Sequence, residues 1–229
     1  MCGRYVLKRE DLEALVKQFG LRSLEEFHSR YNIAPTSLVP LIRKREPGRA
    51  ELAGVRWGLI PAWTKPDAPA KPLVNVRAET LLTRFRGALR SRRCILPASG
   101  FYEWQDLGSH KQPWYFAPAD GQPFGLAGVW DTWHGPAGTE LETCAVLTTT
   151  PNQVLARVHD RMPVMLTPDQ CSRWLEDELD PAAAQELLAP TADAWLTATP
   201  VGPAVSSVRN DGPECLTPAP PPDQLSLGL

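Results

Sequence analysis

The sequence predicts an α+β domain: a mixed, mostly antiparallel β core with flanking short helices and a basic groove. Three observations carry that expectation. Apolar runs of strand length recur through the middle of the chain, as in RCILPASGFYEW, PFGLAGVWDTW and TCAVLTTTP. Helical spacing of apolar residues is confined to three separated stretches. Sixteen glycines and 24 prolines spread over 229 residues call for many turns and short elements, which suits strands and helices combined in one layered domain.

Taken in order, residues 10–30 (EDLEALVKQFGLRSLEEFHSR) carry apolar residues at helical spacing and read as one or two short helices. RYNIAPTSLVPLIRK follows as an extended or turning segment broken by Pro35 and Pro40. ELAGVRWGLIPAW reads as a strand that ends at a proline turn, and TLLTRFRGALRSRR as a helix with one arginine-rich face. The three apolar runs named above are then core strands. Residues 168–188 read as a further helix, from a Pro-Asp start through WLEDEL and onward after Pro181. The last stretch, TPAPPPDQLSLGL, is proline-rich and reads as a flexible tail, so the expected division is a domain over 1–216 and a tail over 217–229. There is no internal repeat.

Length and composition fit a globular protein with a sizeable core, since 43% of residues are hydrophobic and 22% charged. No apolar run approaches the roughly 18 residues of a membrane span, and the N-terminus lacks a signal-peptide pattern. Five scattered cysteines (Cys2, Cys94, Cys144, Cys171, Cys215) form no disulfide framework, so the expected location is the reducing cytosol. The net charge of −2 hides an asymmetry. Residues 1–93 hold 19 Lys and Arg against 9 Asp and Glu, whereas residues 94–229 hold 5 against 17. The basic half is densest from Arg77 to Arg93, where Arg77, Arg84, Arg86, Arg90, Arg92 and Arg93 meet only Glu79. Such a field suits a polyanion-binding groove, although some of these arginines must pair with the acidic half.

Metal chemistry finds no support: the four histidines (His28, His110, His134, His159) are isolated, and no CxxC, HxxxH or HExxH spacing occurs. No cofactor is expected, because dinucleotide, P-loop and GxSxG signatures are also missing. Polar residues embedded in apolar stretches are more informative. Glu103 stands between Tyr102 and Trp104 in GFYEW. There its carboxylate is either partly desolvated, with a raised pKa suited to proton transfer, or an ordinary surface group on a half-exposed strand. His159 in VHDRMPVML is either a proton-transfer group or a hydrogen-bonded structural histidine. Asn75 and Arg77 alternate with Val74 and Val76, so on a strand both face one side and offer an amide and a guanidinium to a sugar-phosphate. Cys2, directly behind Met1 in MCGRY, becomes the N-terminal residue if Met1 is removed; it is otherwise a small residue on a first strand.

The blocks MCGRY, RYNIAPT, WGLIPAW, NVRAET, RCILPASGFYEW, LAGVW, LTTTPN, HDRMPVML and SVRN occur in this order from position 2 to about 210. In this the chain resembles the SOS-response-associated peptidase (SRAP) family of abasic-site processing proteins. The resemblance implies a single SRAP-type domain whose N-terminal cysteine crosslinks to abasic sites in single-stranded DNA. It also implies an associated lyase activity and a self-processing peptidase activity. By the same resemblance Cys2 matches the nucleophile, Asn75 the amide that holds the adduct, Glu103 the acid/base and His159 a second proton-transfer group. Arg4, Arg77 and Arg161 fall where the family contacts phosphates, and Trp63 and Trp104 are the aromatic candidates for packing on sugar or base. Trp63-Thr64 departs from relatives that carry two aromatics in a row, which affects base stacking rather than the chemistry.

The residue types support that chemistry on their own terms. An abasic deoxyribose exists partly as an open-chain aldehyde, which amines attack to give imines. The α-amine, with a pKa of about 7.7–8.0, is free base several hundred-fold more often than lysine near neutral pH. A thiol on the adjacent carbon can close onto the imine carbon and form a five-membered thiazolidine, helped by an effective molarity of order 10⁵ M or more.

Other classes remain open on sequence alone. MCG also opens the class II glutamine amidotransferases, although their downstream glutamine-binding blocks are missing here. An N-terminal-nucleophile peptidase and a non-covalent single-stranded-DNA-binding module are further alternatives. In the tail, QLSLGL resembles the Gln-Leu-x-Leu motif that docks bacterial proteins on the replicative sliding clamp, with Gly-Leu in place of the usual phenylalanine, so beside abasic single-stranded DNA either the clamp is a partner or the tail is a disordered end with accidental leucines.

Overall fold

A short strand, β1 (Tyr5–Leu7), leads into α1 (Arg9–Gln18) in the computed structural model, which describes residues 2–22, 27–67 and 71–219. α1 has Glu10 and Asp11 in its first turn and Lys17 in its last, the order that complements a helix dipole. It buries Leu12, Leu15 and Val16. α1 ends where Gly20 adopts φ 68°; the rest of the helical stretch expected over 10–30 includes residues 23–26, which lie outside the described residues. Gly20 and Leu21 return their N–H groups to the carbonyls of Lys17 and Val16, closing the helix end.

β2 (Arg30–Ile33), β3 (Leu38–Glu46) and β4 (Arg49–Trp57) follow. Pro35 breaks this region as the sequence suggested, but Pro40 does not. The chain turns at Pro35-Thr36, with Thr36 at φ 73°, and Pro40 lies inside β3 opposite Gly54. The pairing of β3 with its other neighbour starts only at Ile42, so the N–H that proline lacks is not required on that side.

β5 (Asn75–Arg77) passes directly into α2 (Ala78–Leu81), and α3 (Arg86–Ser91) comes after a turn. The arginine-rich helix expected over TLLTRFRGALRSRR is thus two short helices. The Thr83 hydroxyl donates back to the carbonyls of Glu79 and Thr80, which competes with helix propagation, and Gly87 weakens the second piece. β6 (Arg93–Ala98), β7 (Gly100–Asp106), β8 (Lys111–Pro118), β9 (Phe124–His134) and β10 (Glu140–Thr149) supply most of the core. The chain continues through α4 (Gln153–Ala156), β11 (Met162–Pro163), β12 (Met165–Leu166), α5 (Pro168–Trp174), α6 (Pro181–Leu187) and β13 (Leu196–Pro200). Residues 168–188 are two helices because Pro181 restarts the chain behind Asp180, whose carboxylate caps Ala182 and Ala183.

The strands form two sheets, so the architecture is α+β as expected. One has the order β13-β8-β7-β1-β2, with every pairing antiparallel. The other runs β11-β10-β4-β3-β6-β9-β12 and closes into a small barrel, because β9 and β10 also pair along seven residues. β5 adds to β10 in parallel.

Period-2 alternation divides the first sheet's two faces. Tyr5, Leu7 and Phe101 point into the main core with Trp57, Phe116 and Phe124, whereas Val6 and Tyr102 point the other way. That second face is covered by Val201, Val205 and Cys215 from the C-terminal stretch. Fully burying each large apolar side chain contributes about 1.5–3 kcal/mol, so this cover stabilises as well as shields the outer face. The chain stays attached through Ala219, whose N–H donates to the Pro200 carbonyl at 2.9 Å. Residues 220–229, with the QLSLGL segment, lie outside the described residues.

The charge asymmetry is partly resolved by pairing within the molecule. Arg43 reaches Glu51 and Glu142, Lys44 reaches Asp177, Arg30 reaches Asp211 and Arg92 reaches Asp131. Arg93 is buried, and its guanidinium donates to the carbonyls of Leu89, Arg90, Trp174 and Glu176. Arg93 therefore ties α3 to the end of α5 and is not part of an exposed basic face. Arg77, Arg84, Arg86 and Arg90 are exposed. Among the described residues no helix is long and apolar enough to cross a membrane.

Candidate functional site

Cys2 lies just ahead of β1 and is fully buried. β1 runs antiparallel to β7 with Tyr5 opposite Phe101, and the Tyr102 N–H donates to the Arg4 carbonyl at 3.0 Å. Carried back along the strands, this register brings Cys2 beside the stretch of β7 that holds Glu103. Burial pushes the Cys2 thiol far above its usual pKa, and the negative charge of Glu103 pushes it further in the same direction.

Asn75 approaches from the second sheet. β5 is set in place by its parallel pairing with Val146, Leu147 and Thr148 of β10. Val76 faces the core while Asn75 and Arg77 face the opposite side, as the alternation predicts. The Asn75 amide nitrogen donates to the Cys2 carbonyl at 2.9 Å. Its Oδ1 is buried and accepts no hydrogen bond from the described residues, which leaves an acceptor directed at this junction of the two sheets.

Glu103 is only 3% exposed, and burial raises its carboxyl to about 7, with the negative charge of nearby Asp160 acting in the same direction. A carboxyl with that pKa is both acid and base near neutral pH. The segment that bears His159 packs along β7, where Gln105 Nε2 donates to the Arg157 carbonyl at 3.2 Å. His159 is lowered below its usual pKa, chiefly by burial, and its Nδ1 accepts the main-chain N–H of Arg161 at 3.0 Å. Asp160 Oδ1 is 2.9 Å from the same nitrogen and pairs with it when the ring is protonated.

The structure thus brings Cys2, Asn75, Glu103 and His159 to one junction, with Asp160 as a charge that sequence reading did not single out. The signal for Asp160 was only its adjacency to His159.

The expected phosphate contacts differ in availability. Arg77 is exposed. Arg4 donates to Asn32 Oδ1 at 2.8 Å and to the Val205 carbonyl at 2.9 Å, with its guanidinium 5.7 Å from the Trp104 ring. Arg161 is 9% exposed and forms a two-pronged pair with Glu79, both contacts 2.9 Å. Trp63 is 51% exposed, with its ring 5.2 Å from that of Phe85. Trp104 is half-buried beside Tyr102. Among the described residues no group of three His, Cys, Asp or Glu side chains could hold a metal ion.

Comparison with known proteins agrees in family and fold. Residues 1–208 match the family model described as SOS response associated peptidase (SRAP). The chain is 37% identical over 224 residues to the abasic site processing protein YoqW of Bacillus subtilis, covering 94% of this chain and 99% of that protein. It is 34% identical to the abasic site processing protein YedK of Escherichia coli, covering 95% and 100%. Against the abasic site processing protein HMCES of Gallus gallus it is 33% identical, covering 84% of this chain and 67% of that longer protein. A crystal structure of a Bacteroides thetaiotaomicron protein superposes with a TM-score of 0.84 at 26% identity, covering 95% of this chain and all of the other. With the family model spanning most of its length and relatives this similar across nearly their whole chains, the protein belongs to the SOS response associated peptidase (SRAP) family.

Proposed function

We propose that this chain processes abasic sites in single-stranded DNA by forming a covalent thiazolidine between Cys2, freed of Met1, and the open-chain sugar aldehyde. The observation that carries this reading is the setting of Cys2: its carbonyl is held by Asn75 at 2.9 Å and its buried thiol lies within electrostatic reach of Glu103. The names of the relatives, abasic site processing proteins, support the substrate.

The α-amine of Cys2 adds to the aldehyde carbon, and loss of water gives an imine. Sγ then bonds to that carbon while the nitrogen takes up the proton that the thiol loses. Because burial keeps the thiol protonated, this closure needs a base, and Glu103 near pKa 7 can accept the proton and return it to nitrogen. The unused Oδ1 of Asn75 is suited to accept from the α-amine or from a sugar hydroxyl. An imine that fails to close can lose a proton beside it and expel the 3′ phosphate, which is the associated lyase path. His159, neutral through burial, is suited to proton transfer on that path or in reversal. A reduced Cys2 calls for a reducing compartment such as the cytosol.

The test is mass spectrometry of the protein mixed with abasic single-stranded DNA, with proteolytic mapping of the attachment. The expected product has lost Met1 and carries the DNA on Cys2. Cys2→Ala and Cys2→Ser should give no stable adduct, although the amine of Cys2→Ala should still form an imine that borohydride traps. One uncleaved residue ahead of Cys2 should abolish the adduct, since the α-amine becomes an amide. A full-strength adduct from a chain with a blocked N-terminus would overturn the mechanism.

A further inference from the structure

Glu79 is the single acid in the arginine-rich stretch from Arg77 to Arg93. It stands in α2, directly behind β5, the three-residue strand that ends at Arg77 and begins at Asn75. Among the described residues β5 pairs only with β10, over Val146, Leu147 and Thr148, so few main-chain bonds hold Asn75 in place. Glu79 adds a second tether. Its two carboxylate oxygens accept from Arg161 Nη1 and Nη2, both at 2.9 Å, and Nη2 also donates to the Thr148 carbonyl at 2.7 Å. Thr148 lies opposite Arg77 on one side and Pro163 on the other, so one guanidinium ties α2, which continues β5, to the point of β10 where β5 and β11 both pair. Arg161 is 11% exposed in its side chain, and the planar fork of a guanidinium fits a carboxylate in one orientation.

The same residue bears on His159. Three hydrogen bonds fix the Arg161 side chain and with it the Arg161 main chain, whose N–H reaches His159 Nδ1 at 3.0 Å. A neutral imidazole that accepts at Nδ1 carries its proton on Nε2. Asp160, 2.9 Å from Nδ1, offers the competing arrangement in which Nδ1 is the donor.

We infer that Glu79 is a positioning residue: by clamping Arg161 it holds the strand of Asn75 against the loop of His159 and fixes the His159 proton on Nε2. The consequence for the reaction rests on the thiazolidine reading above, but the consequence for the histidine does not.

The experiment compares wild type with Glu79→Gln, which keeps the shape and removes the charge, and with Arg161→Lys, which keeps the charge and removes the fork. Nitrogen-15 NMR of the imidazole, at a pH where His159 is neutral, reports the tautomer without any DNA. The expected result is an Nε2–H tautomer in wild type and a mixed or reversed one in both variants, with circular dichroism showing that all three are folded. Adduct formation with abasic single strands should slow at least tenfold in both variants, while the non-covalent affinity of Glu79→Gln for intact single strands changes less than twofold. An unchanged tautomer in a folded Glu79→Gln would overturn the proposal. So would a tighter grip on intact DNA with an undiminished adduct rate, the result expected if Glu79 merely withholds Arg161 from phosphate. If wild type itself forms no adduct, the reaction reading fails while the NMR arm still decides the role of Glu79.

Discussion

Glu103 shows how a functional residue can oppose stability. Its carboxyl rises to about 7 because burial penalises its charged form, against an ordinary value near 4.5. Between these values the unfolded chain has released the proton and the folded one retains it. The folded state therefore binds more protons, and stability falls as pH rises through this window. The loss approaches about 3 kcal/mol by pH 7 and above, at 1.36 kcal/mol per pKa unit. Glu103→Gln should consequently raise the melting temperature at pH 8 and change it little at pH 4, as scanning calorimetry across pH would read. The same variant should slow adduct formation by about 10²-fold or more, the usual contribution of a positioned acid/base. Sequence already pointed to this residue, because a carboxylate flanked by Tyr102 and Trp104 in an apolar stretch is either buried or surface-exposed. Packing against the other sheet decides which.

At the scale of elements, the long apolar strands were legible, whereas β8 and β13 went unread and the helices were only partly legible. β9 and β10 follow from their long apolar runs, but α2 and α3 emerge from a stretch that reads as one helix. Local competition by Thr83 and Gly87 divides them, and helical periodicity does not register it. β6 and β7 likewise read as one run, yet the chain changes sheet between them, a choice made by long-range pairing with β3 and β9 on one side and β1 and β8 on the other. Barrel closure depends on a close approach at Gly128. A Cβ there would lie 2.7 Å from Leu96 Cδ1, 2.9 Å from Cys94 Sγ and 3.0 Å from the Ala145 carbonyl. Because β6 and β10 both crowd this position, Gly128→Ala should destabilise the fold by about 1–3 kcal/mol, the usual cost of overpacking. A denaturant midpoint that does not fall would refute the close approach.

Across the whole molecule, the exposed Arg77, Arg84, Arg86 and Arg90 should still provide a long-range attraction for a polyanion after the internal pairings are counted. Binding to single strands should weaken by about 0.7 log units per log unit of salt for each phosphate neutralised. Arg77→Glu should weaken binding to intact and abasic strands alike in a fluorescence-anisotropy titration, and salt-independent binding would count against this face. The sequence by itself determined the α+β class, the strand runs, the family blocks and the residue types Cys2, Asn75, Glu103 and His159. These follow from local apolar periodicity and from the order of residues, both of which are written along the chain. Only the tertiary structure decided that Cys2 is buried, that Asn75 reaches it from the other sheet, and that Arg93 and Arg161 turn inward to carbonyls and to Glu79. Those outcomes depend on partners tens of residues away along the chain, and a charge or amide at one position carries no record of which distant group will satisfy it.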